Sequence, residues 1–294
     1  MPALRDRLRD PSPLLLDGAT GTELERRGLA CELPLWSGSA LLAAPELLRE
    51  IHRDYARAGA GALTANTFRT HARSLAAAGL AARAGELTGR AVSLAREVAA
   101  AVDPAPLVLG SAAPLEDCYQ PQRVPPDAAL AREHASHMEQ LARAGVDGVL
   151  IETQNSVREA RAALRAAREA GLAALVSFVC WQRAALLSGE PLERALECAA
   201  REGALAVLVN CLPPSNAAPC LAVLAQGGLR FGIYANLGTP LPDGAFARSE
   251  DCAPAEFAAH AREWLAAGAS LIGGCCGTTP AHIAGLASLL RGRG

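Results

Sequence analysis

The run Gly148-Val149-Leu150-Ile151-Glu152-Thr153 decides how the rest of the chain reads. Its apolar residues are consecutive rather than alternating, the pattern of a strand covered on both faces, and such strands belong to parallel sheets. Next comes Ser156–Ala170, rich in alanine, arginine and glutamate at helical spacing and opened by a serine suited to N-capping. A second apolar run, Ala174–Val179, follows. Strand, helix and strand in this order form the repeating unit of an α/β fold.

Working outward, the alternation recurs along the chain. Apolar runs at Leu14–Gly18, Ala62–Phe68, Leu107–Ser111, Ala206–Cys211, Arg230–Leu237 and Ser270–Gly274 bring the strand candidates to eight. Val207-Leu208-Val209 repeats the unbroken apolar pattern of the opening run. Helix candidates fall between them at about Pro45–Ala58, His71–Val102, Pro126–Ala144, Ser156–Ala170, Pro191–Glu202, Ser215–Gln226, Pro254–Ala267 and Pro280–Leu290. Several open on proline, and several close on glycine, as at Gly59, Gly145, Gly171 and Gly268. Eight strand-helix pairs predict a (β/α)8 TIM barrel of the α/β class, a single domain over residues 1–294. The competing doubly wound sheet would carry a glycine fingerprint after its first strand, and Asp17-Gly18-Ala19-Thr20-Gly21-Thr22 lacks that spacing. Asp117–Pro126 and Leu237–Ala253, the latter with Pro240, Pro242 and Gly244, read as long loops.

Composition excludes more than it assigns. The 294 residues are 51% hydrophobic and 20% charged, with a formal net charge of −2, so no basic field is available for nucleic acid or anionic lipid. All 28 basic residues are arginine. Without lysine there is no Schiff base to pyridoxal phosphate or a carbonyl substrate, and no P-loop lysine. Met1 to Pro13 is charged and proline-broken, unlike a secretory signal, and no apolar run approaches a membrane span, so a soluble cytoplasmic protein is expected. In a reducing compartment the odd count of nine cysteines points away from a disulfide framework and toward metal ligation or catalysis.

Barrel enzymes place their chemistry where strands end. Asp17 closes the first strand, Asn66 the second, Glu152 the fourth, Asn210 and Cys211 the sixth, Asn236 the seventh, and Cys275-Cys276 the eighth. Vicinal cysteines bridge each other poorly, so Cys275 and Cys276 could share one metal with Cys211, leaving a fourth position open; small packing residues in a glycine-flanked turn are the alternative. Asp17 could cap a turn or touch substrate. Glu152 needs a cation, either a ligand ammonium or an arginine. Asn66, Asn210 and Asn236 could orient loops or bond substrate. His71, and His134 with His137, read as solvated helix positions, and Cys31, Cys118, Cys180, Cys198, Cys220 and Cys252 as packing or surface residues.

Taken together, the segments at 17–24 (Asp-Gly-Ala-Thr-Gly-Thr-Glu-Leu), 64–68 (Thr-Ala-Asn-Thr-Phe), 151–153 (Ile-Glu-Thr), 209–211 (Val-Asn-Cys) and 273–280 (Gly-Gly-Cys-Cys-Gly-Thr-Thr-Pro) resemble the homocysteine S-methyltransferase family. The resemblance runs from about Leu14 to Leu290, with the motifs in the family's order. It implies that Cys211, Cys275 and Cys276 bind Zn2+ with homocysteine sulfur as fourth ligand. It also implies that Asp17 and Glu152 receive the substrate ammonium, and that amides around Gly18 and Ala19 hold its carboxylate. The implied reaction is methylation of L-homocysteine to methionine. No second domain for cobalamin or folate is seen, which favours a small sulfonium donor, S-methylmethionine or S-adenosylmethionine; a separate corrinoid protein is the other route. Ser177–Pro191, with Cys180, Trp181 and Gln182, departs from the more polar stretch of sulfonium-using members, which leaves donor and acceptor open. Methyl transfer to another thiol or selenol, and a zinc- or thiol-binding module without activity, complete the alternatives.

Overall fold

The structure is a computed structural model that describes residues 3–181, 183–240, 246–247 and 252–292. Eight parallel strands form the barrel: β1 (Leu14–Leu15), β2 (Ala62–Ala65), β3 (Leu107–Ala112), β4 (Gly148–Gln154), β5 (Ala174–Val179), β6 (Ala206–Asn210), β7 (Arg230–Ala235) and β10 (Leu271–Gly274). β8 (Thr239–Pro240) and β9 (Phe246–Ala247) pair with each other only. Around the ring each barrel strand pairs with its sequence neighbour and β10 returns to β1. A parallel bridge from Leu16 to Ala62 closes the last gap. The expected TIM barrel is therefore observed.

Alternation along each strand sorts the apolar residues into two cores. Leu14, Leu16, Leu109, Leu150, Leu175, Leu208 and Leu271 fill the lumen. Leu15, Leu63, Val108, Val149, Val176, Val207, Ile233 and Ile272 face outward onto the helices. The floor is closed by the N-terminal helix α1 (Ala3–Arg7), whose Leu4 is fully buried in the lumen cluster. A Cβ on Gly148 would come within 2.3 Å of the Leu4 side chain, so the glycine that opens β4 makes room for this plug. Burying such a leucine is worth about 2 kcal/mol.

The outer helices are α2 (Gly21–Arg26), α3 (Ala40–Ala43), α4 (Pro45–Arg57), α5 (Ala72–Ala76), α6 (Ala84–Ala99), α7 (Asp127–Ala144), α8 (Val157–Glu169), α9 (Leu192–Glu202), α10 (Ala217–Leu224), α11 (Pro254–Ala266) and α12 (Pro280–Arg291). Most match the expected spans within two residues. The exception is His71–Val102, which is not one helix: Gly79 adopts φ +72, a left-handed conformation that interrupts the helix, and the chain resumes through a 3-10 turn at Ala81–Arg83. Helices α1, α2 and α3 were not anticipated, being shorter than the periodicity a sequence can display. Within the expected loop Leu237–Ala253, Pro242 and Gly244 lie outside the described residues, as does Gln182. None of the described helices is long and apolar enough to cross a membrane.

Candidate active site and metal centre

Two residues beyond the lumen leucines, the same inward direction recurs and the chemistry changes. Ser111 follows Leu109, Glu152 follows Leu150, Ser177 follows Leu175 and Asn210 follows Leu208. The upper lumen is thus polar, and a cavity of about 700 Å³ opens above it. Asp17, Gly18, Ala19, Asn66, Glu152, Cys211, Cys275 and Cys276 all line this cavity.

The three cysteines meet although 64 residues separate Cys211 from Cys275: their sulfurs all lie within 4.8 Å of one another. Cys211 Sγ and Cys275 Sγ are 2.9 Å apart. Cys211 stands just past β6 in a left-handed backbone conformation, φ +53, strain of the kind held at functional sites. Asn210 supports the cluster from below. Its Nδ2 donates to Thr153 Oγ1 at 2.9 Å and to Cys211 Sγ at 3.3 Å, while its Oδ1 accepts from Ser177 Oγ at 2.7 Å and from the Thr153 amide at 3.2 Å. Asn210 therefore orients sulfur and loop and does not line the cavity.

Thiol hydrogen bonds from Cys275, then from Cys276, pull the Cys211 thiol down to about 5, while giving those bonds pushes Cys275 and Cys276 up. Three soft donors gathered in this way are what a thiophilic cation would complete, since metal binding deprotonates every ligating thiol. The tyrosine of the loop after β3 joins the group. Tyr119 lines the same cavity and lowers the Cys211 thiol further, and its ring packs 5.4 Å from Trp181. Tyr119 was not singled out from the sequence, where a loop tyrosine carries no spacing signal, and Trp181 was named only as part of the segment Ser177–Pro191.

Beside the sulfurs lie two carboxylates, Asp17 buried and Glu152 partly buried. Asp17 accepts from the Thr64 amide at 2.7 Å and the Thr64 hydroxyl at 2.8 Å. Glu152 accepts from the Ser111 hydroxyl and, at 3.3 Å, from Tyr234. Each of these partners is neutral. Burial pushes Asp17 up to about 7 and Glu152 up to about 8. The arginine alternative for Glu152 is absent among the described residues, and Asp17 is not the helix cap, which is Thr20.

The other candidates separate. Asn66 is locked onto the segment before α3, its Oδ1 accepting from Ser37 Oγ at 2.7 Å and its Nδ2 donating to Ser37 O at 2.8 Å. The Ala19 amide donates to Thr278 Oγ1 at 3.3 Å, and the Tyr55 hydroxyl and Thr278 crowd Gly18. Asn236 is fully buried with neither amide atom bonded, and it lines a separate cavity of about 420 Å³ rather than the main one.

One expectation needs correction. His71, His134 and His137 are buried, not solvated. On α7, His134 and His137 share a stripe with Leu130, Met138 and Leu141 and pack there, His134 against Glu159 at 3.2 Å and His137 against Ser111 O at 3.3 Å. Among the six bystander cysteines, Cys31 and Cys118 line the main cavity, while Cys180, Cys198 and Cys220 are buried packing residues.

Comparison with known proteins adds to this geometry. The family model for homocysteine S-methyltransferase matches residues 14–290. The chain belongs to the homocysteine S-methyltransferase family. It is 35% identical to the homocysteine S-methyltransferase of Escherichia coli over 96% of this chain and 97% of that protein. A selenocysteine methyltransferase of Astragalus bisulcatus is 26% identical over 94% of this chain and 92% of its own. The metallated form of the homocysteine methyltransferase MmuM from Escherichia coli superposes with a TM-score of 0.84 at 33% identity, covering 97% of this chain and 99% of that one. Family membership makes the chain a methyltransferase by kinship, and the cysteine cluster stands where a barrel presents its chemistry.

Proposed function

We propose that this protein transfers a methyl group to the thiol of L-homocysteine, giving methionine, with Zn2+ held by Cys211, Cys275 and Cys276. The observation that carries the reading is the juxtaposition, in one cavity, of three clustered thiols with two carboxylates that no cation meets among the described residues. The donor set fits the metal. Zinc–thiolate bonds of about 2.3 Å in a tetrahedron space the sulfurs by about 3.8 Å, within the span these three occupy. When bound, zinc would supply Lewis acidity that holds the substrate sulfur as a thiolate near neutral pH.

The chain's own residues do the rest. Asp17 and Glu152 meet the substrate ammonium, whose charge returns both carboxylates to their ionised form and replaces the water they lost on folding. Thr64, Ser111 and Tyr234 aim those carboxylates by hydrogen bonding. Asn210 donates to Cys211 and holds the sulfurs in register. With the amino-acid end fixed, the homocysteine sulfur is oriented toward the donor, and such positioning converts a bimolecular encounter into a local one. The sulfur's lone pair forms the new S–CH3 bond. The donor's C–S pair departs on the donor sulfur, so a sulfonium leaves as a neutral thioether, and the substrate thiol proton has already gone to water.

A small sulfonium, S-methylmethionine or S-adenosylmethionine, is the donor we favour, because it brings its own leaving group. Delivery from a separate methylated corrinoid protein is the alternative. The kinship to selenocysteine methyltransferases gives a second acceptor reading, a selenol in place of the thiol. A cytoplasmic location belongs to the same proposal. The test is incubation of zinc-loaded protein with homocysteine and each donor, with methionine detected. Zinc is expected at about one per chain and lost in the Cys275→Ser/Cys276→Ser double variant. Stoichiometric zinc retained in that variant would sink the ligand assignment, and turnover only with a methylated corrinoid protein would reverse the donor choice.

A further inference from the structure

Two residues of the polar upper lumen hold a left-handed backbone, Cys211 at φ +53 and Thr153 at φ +57. The second is the harder to place, because a β-branched side chain there crowds its own backbone. Thr153 directly follows Glu152, is buried and lines the main cavity. It also sits in a bulge of β4: Ile151 pairs with Val176 and Gln154 with Phe178, so β4 carries one residue more than β5 over this stretch. Bulges beside active sites re-aim side chains. The Glu152 carbonyl inside the bulge accepts from Gln154 Nε2 at 3.3 Å. A strained, buried threonine in an irregular strand persists only where its neighbours over-determine it.

The neighbour that does so is Asn210. From β6 it passes Ser177 of β5 and reaches Thr153 of β4, so one amide stitches three strands together. The Thr153 N–H can only donate, and it does so at 3.2 Å, which fixes Oδ1 on that side. Nδ2 is then turned to the Thr153 hydroxyl at 2.9 Å and to sulfur, at 3.3 Å from Cys211 and 4.0 Å from Cys275. Thr153 thus grips both ends of the amide whose N–H meets the thiol cluster. Remove the hydroxyl and one Nδ2 proton loses its acceptor, which frees the amide to swing off the sulfur. Groups that orient metal ligands in this way are worth about 10- to 100-fold in metal affinity.

We propose that Thr153 is a positioning residue of the metal centre: by holding the Asn210 amide it keeps an N–H on Cys211 and joins the sulfur cluster to the strand that carries Glu152. This rests on the proposed zinc site and homocysteine binding, and adds to them a residue that acts through Asn210. The metal that meets the substrate sulfur and the carboxylate that meets its ammonium then share one rigid support. Zinc and homocysteine therefore tighten each other's binding by the same factor.

The experiment uses Thr153→Val, which keeps the shape and the N–H but drops the hydroxyl, and Thr153→Ser, which restores it. Zinc affinity is measured on homocysteine-free protein by competition with a chromophoric chelator. Cobalt-loaded protein is read by its sulfur-to-cobalt charge-transfer absorption, and homocysteine binding by calorimetry with and without zinc. In Thr153→Val the zinc Kd is expected to rise about 10- to 100-fold, the charge-transfer band to shift, and the factor by which zinc tightens homocysteine to shrink about 10-fold. Thr153→Ser is expected to stay within about threefold of wild type in both zinc readings, and the zinc-free homocysteine Kd within about twofold in every variant. An unchanged zinc Kd and cobalt band in Thr153→Val, or an equal loss in Thr153→Ser, would overturn the assignment. So would a loss of homocysteine affinity that is the same with and without zinc, since Thr153 would then serve Glu152 alone. Should Thr153→Val not fold, Thr153→Ala carries the same comparisons. Wild type that binds zinc but not homocysteine refutes the substrate reading, and the zinc and cobalt measurements then decide the role of Thr153 by themselves. Wild type that binds no zinc refutes both.

Discussion

Two buried polar clusters lie on either side of the same strands, and they differ in what can reach them. On the lumen side, Asp17 and Glu152 line the main cavity with only neutral hydrogen-bond donors beside them. On the helix side, His71 and His137 stack edge to face at 6.0 Å, and His134 bonds Glu159; none of these four lines the cavity. Burial drives the two carboxylates and two of the histidines toward neutrality, up to about 7 and 8 for the carboxylates, down to about 4 for His137 and well below its ordinary range for His71. The lesson is that burial alone does not mark a site. A perturbed group matters functionally where a ligand can restore its charge.

The sharpest way to break this contrast is Glu152→Gln. Replacing a buried carboxylate that meets an ammonium removes a charge-assisted bond worth about 2–3 kcal/mol, so homocysteine affinity is expected to fall about 100-fold with zinc retained. Titration calorimetry on the zinc-loaded protein measures it. Unchanged affinity would remove Glu152 from the site. The melting temperature should not fall, because the variant replaces an expensive buried acid with a neutral amide.

The mirror experiment is His134→Leu. Glu159 Oε1 loses its imidazole partner while Oε2 is already unbonded, so a buried carboxylate is left with the Leu115 amide alone. The expected cost is about 2 kcal/mol, read as a lower denaturant midpoint, with the KM values for homocysteine and donor unchanged. A histidine variant that spared stability and weakened substrate would erase the distinction between the clusters.

These differences track what a sequence can display. The barrel was legible because strands covered on both faces become consecutive apolar runs, and Val149-Leu150-Ile151 needs no partner to be read. Asp17, Glu152 and the three cysteines were legible because each follows such a run directly. Their partners were not. That Ser111 and Tyr234 converge on Glu152, or Thr64 on Asp17, follows from the stagger between neighbouring strands, which no local pattern records. Tyr119 sits in a connection whose path depends on tertiary packing. The histidines are another matter: the stripe Leu130, His134, His137, Met138 and Leu141 was present in the helical spacing, and the polarity of histidine concealed an inward face.

A smaller effect probes the cost of keeping the lumen ready for a cation. Asp17 has an ordinary value of 3.8 and is raised to about 7 in the folded protein, first by desolvation, against which the Thr64 hydrogen bonds act. Between these values the unfolded chain has released its proton and the folded chain has not. The folded state binds more protons, so this group's contribution to stability falls as pH rises from about 4 to about 7 and stays at its low level above. Asp17→Asn removes that dependence but gives up charge-assisted bonds from Thr64 and sets an amide against a backbone donor. The net gain at pH 8 is therefore small, about 1 kcal/mol for homocysteine-free protein, and it should shrink or change sign at pH 5. Urea midpoints of wild type and variant at the two pH values measure it, and a difference independent of pH would mean that Asp17 is solvated in the free protein. With homocysteine bound the order should reverse, because the ammonium stabilises the wild-type carboxylate and finds only an amide in the variant.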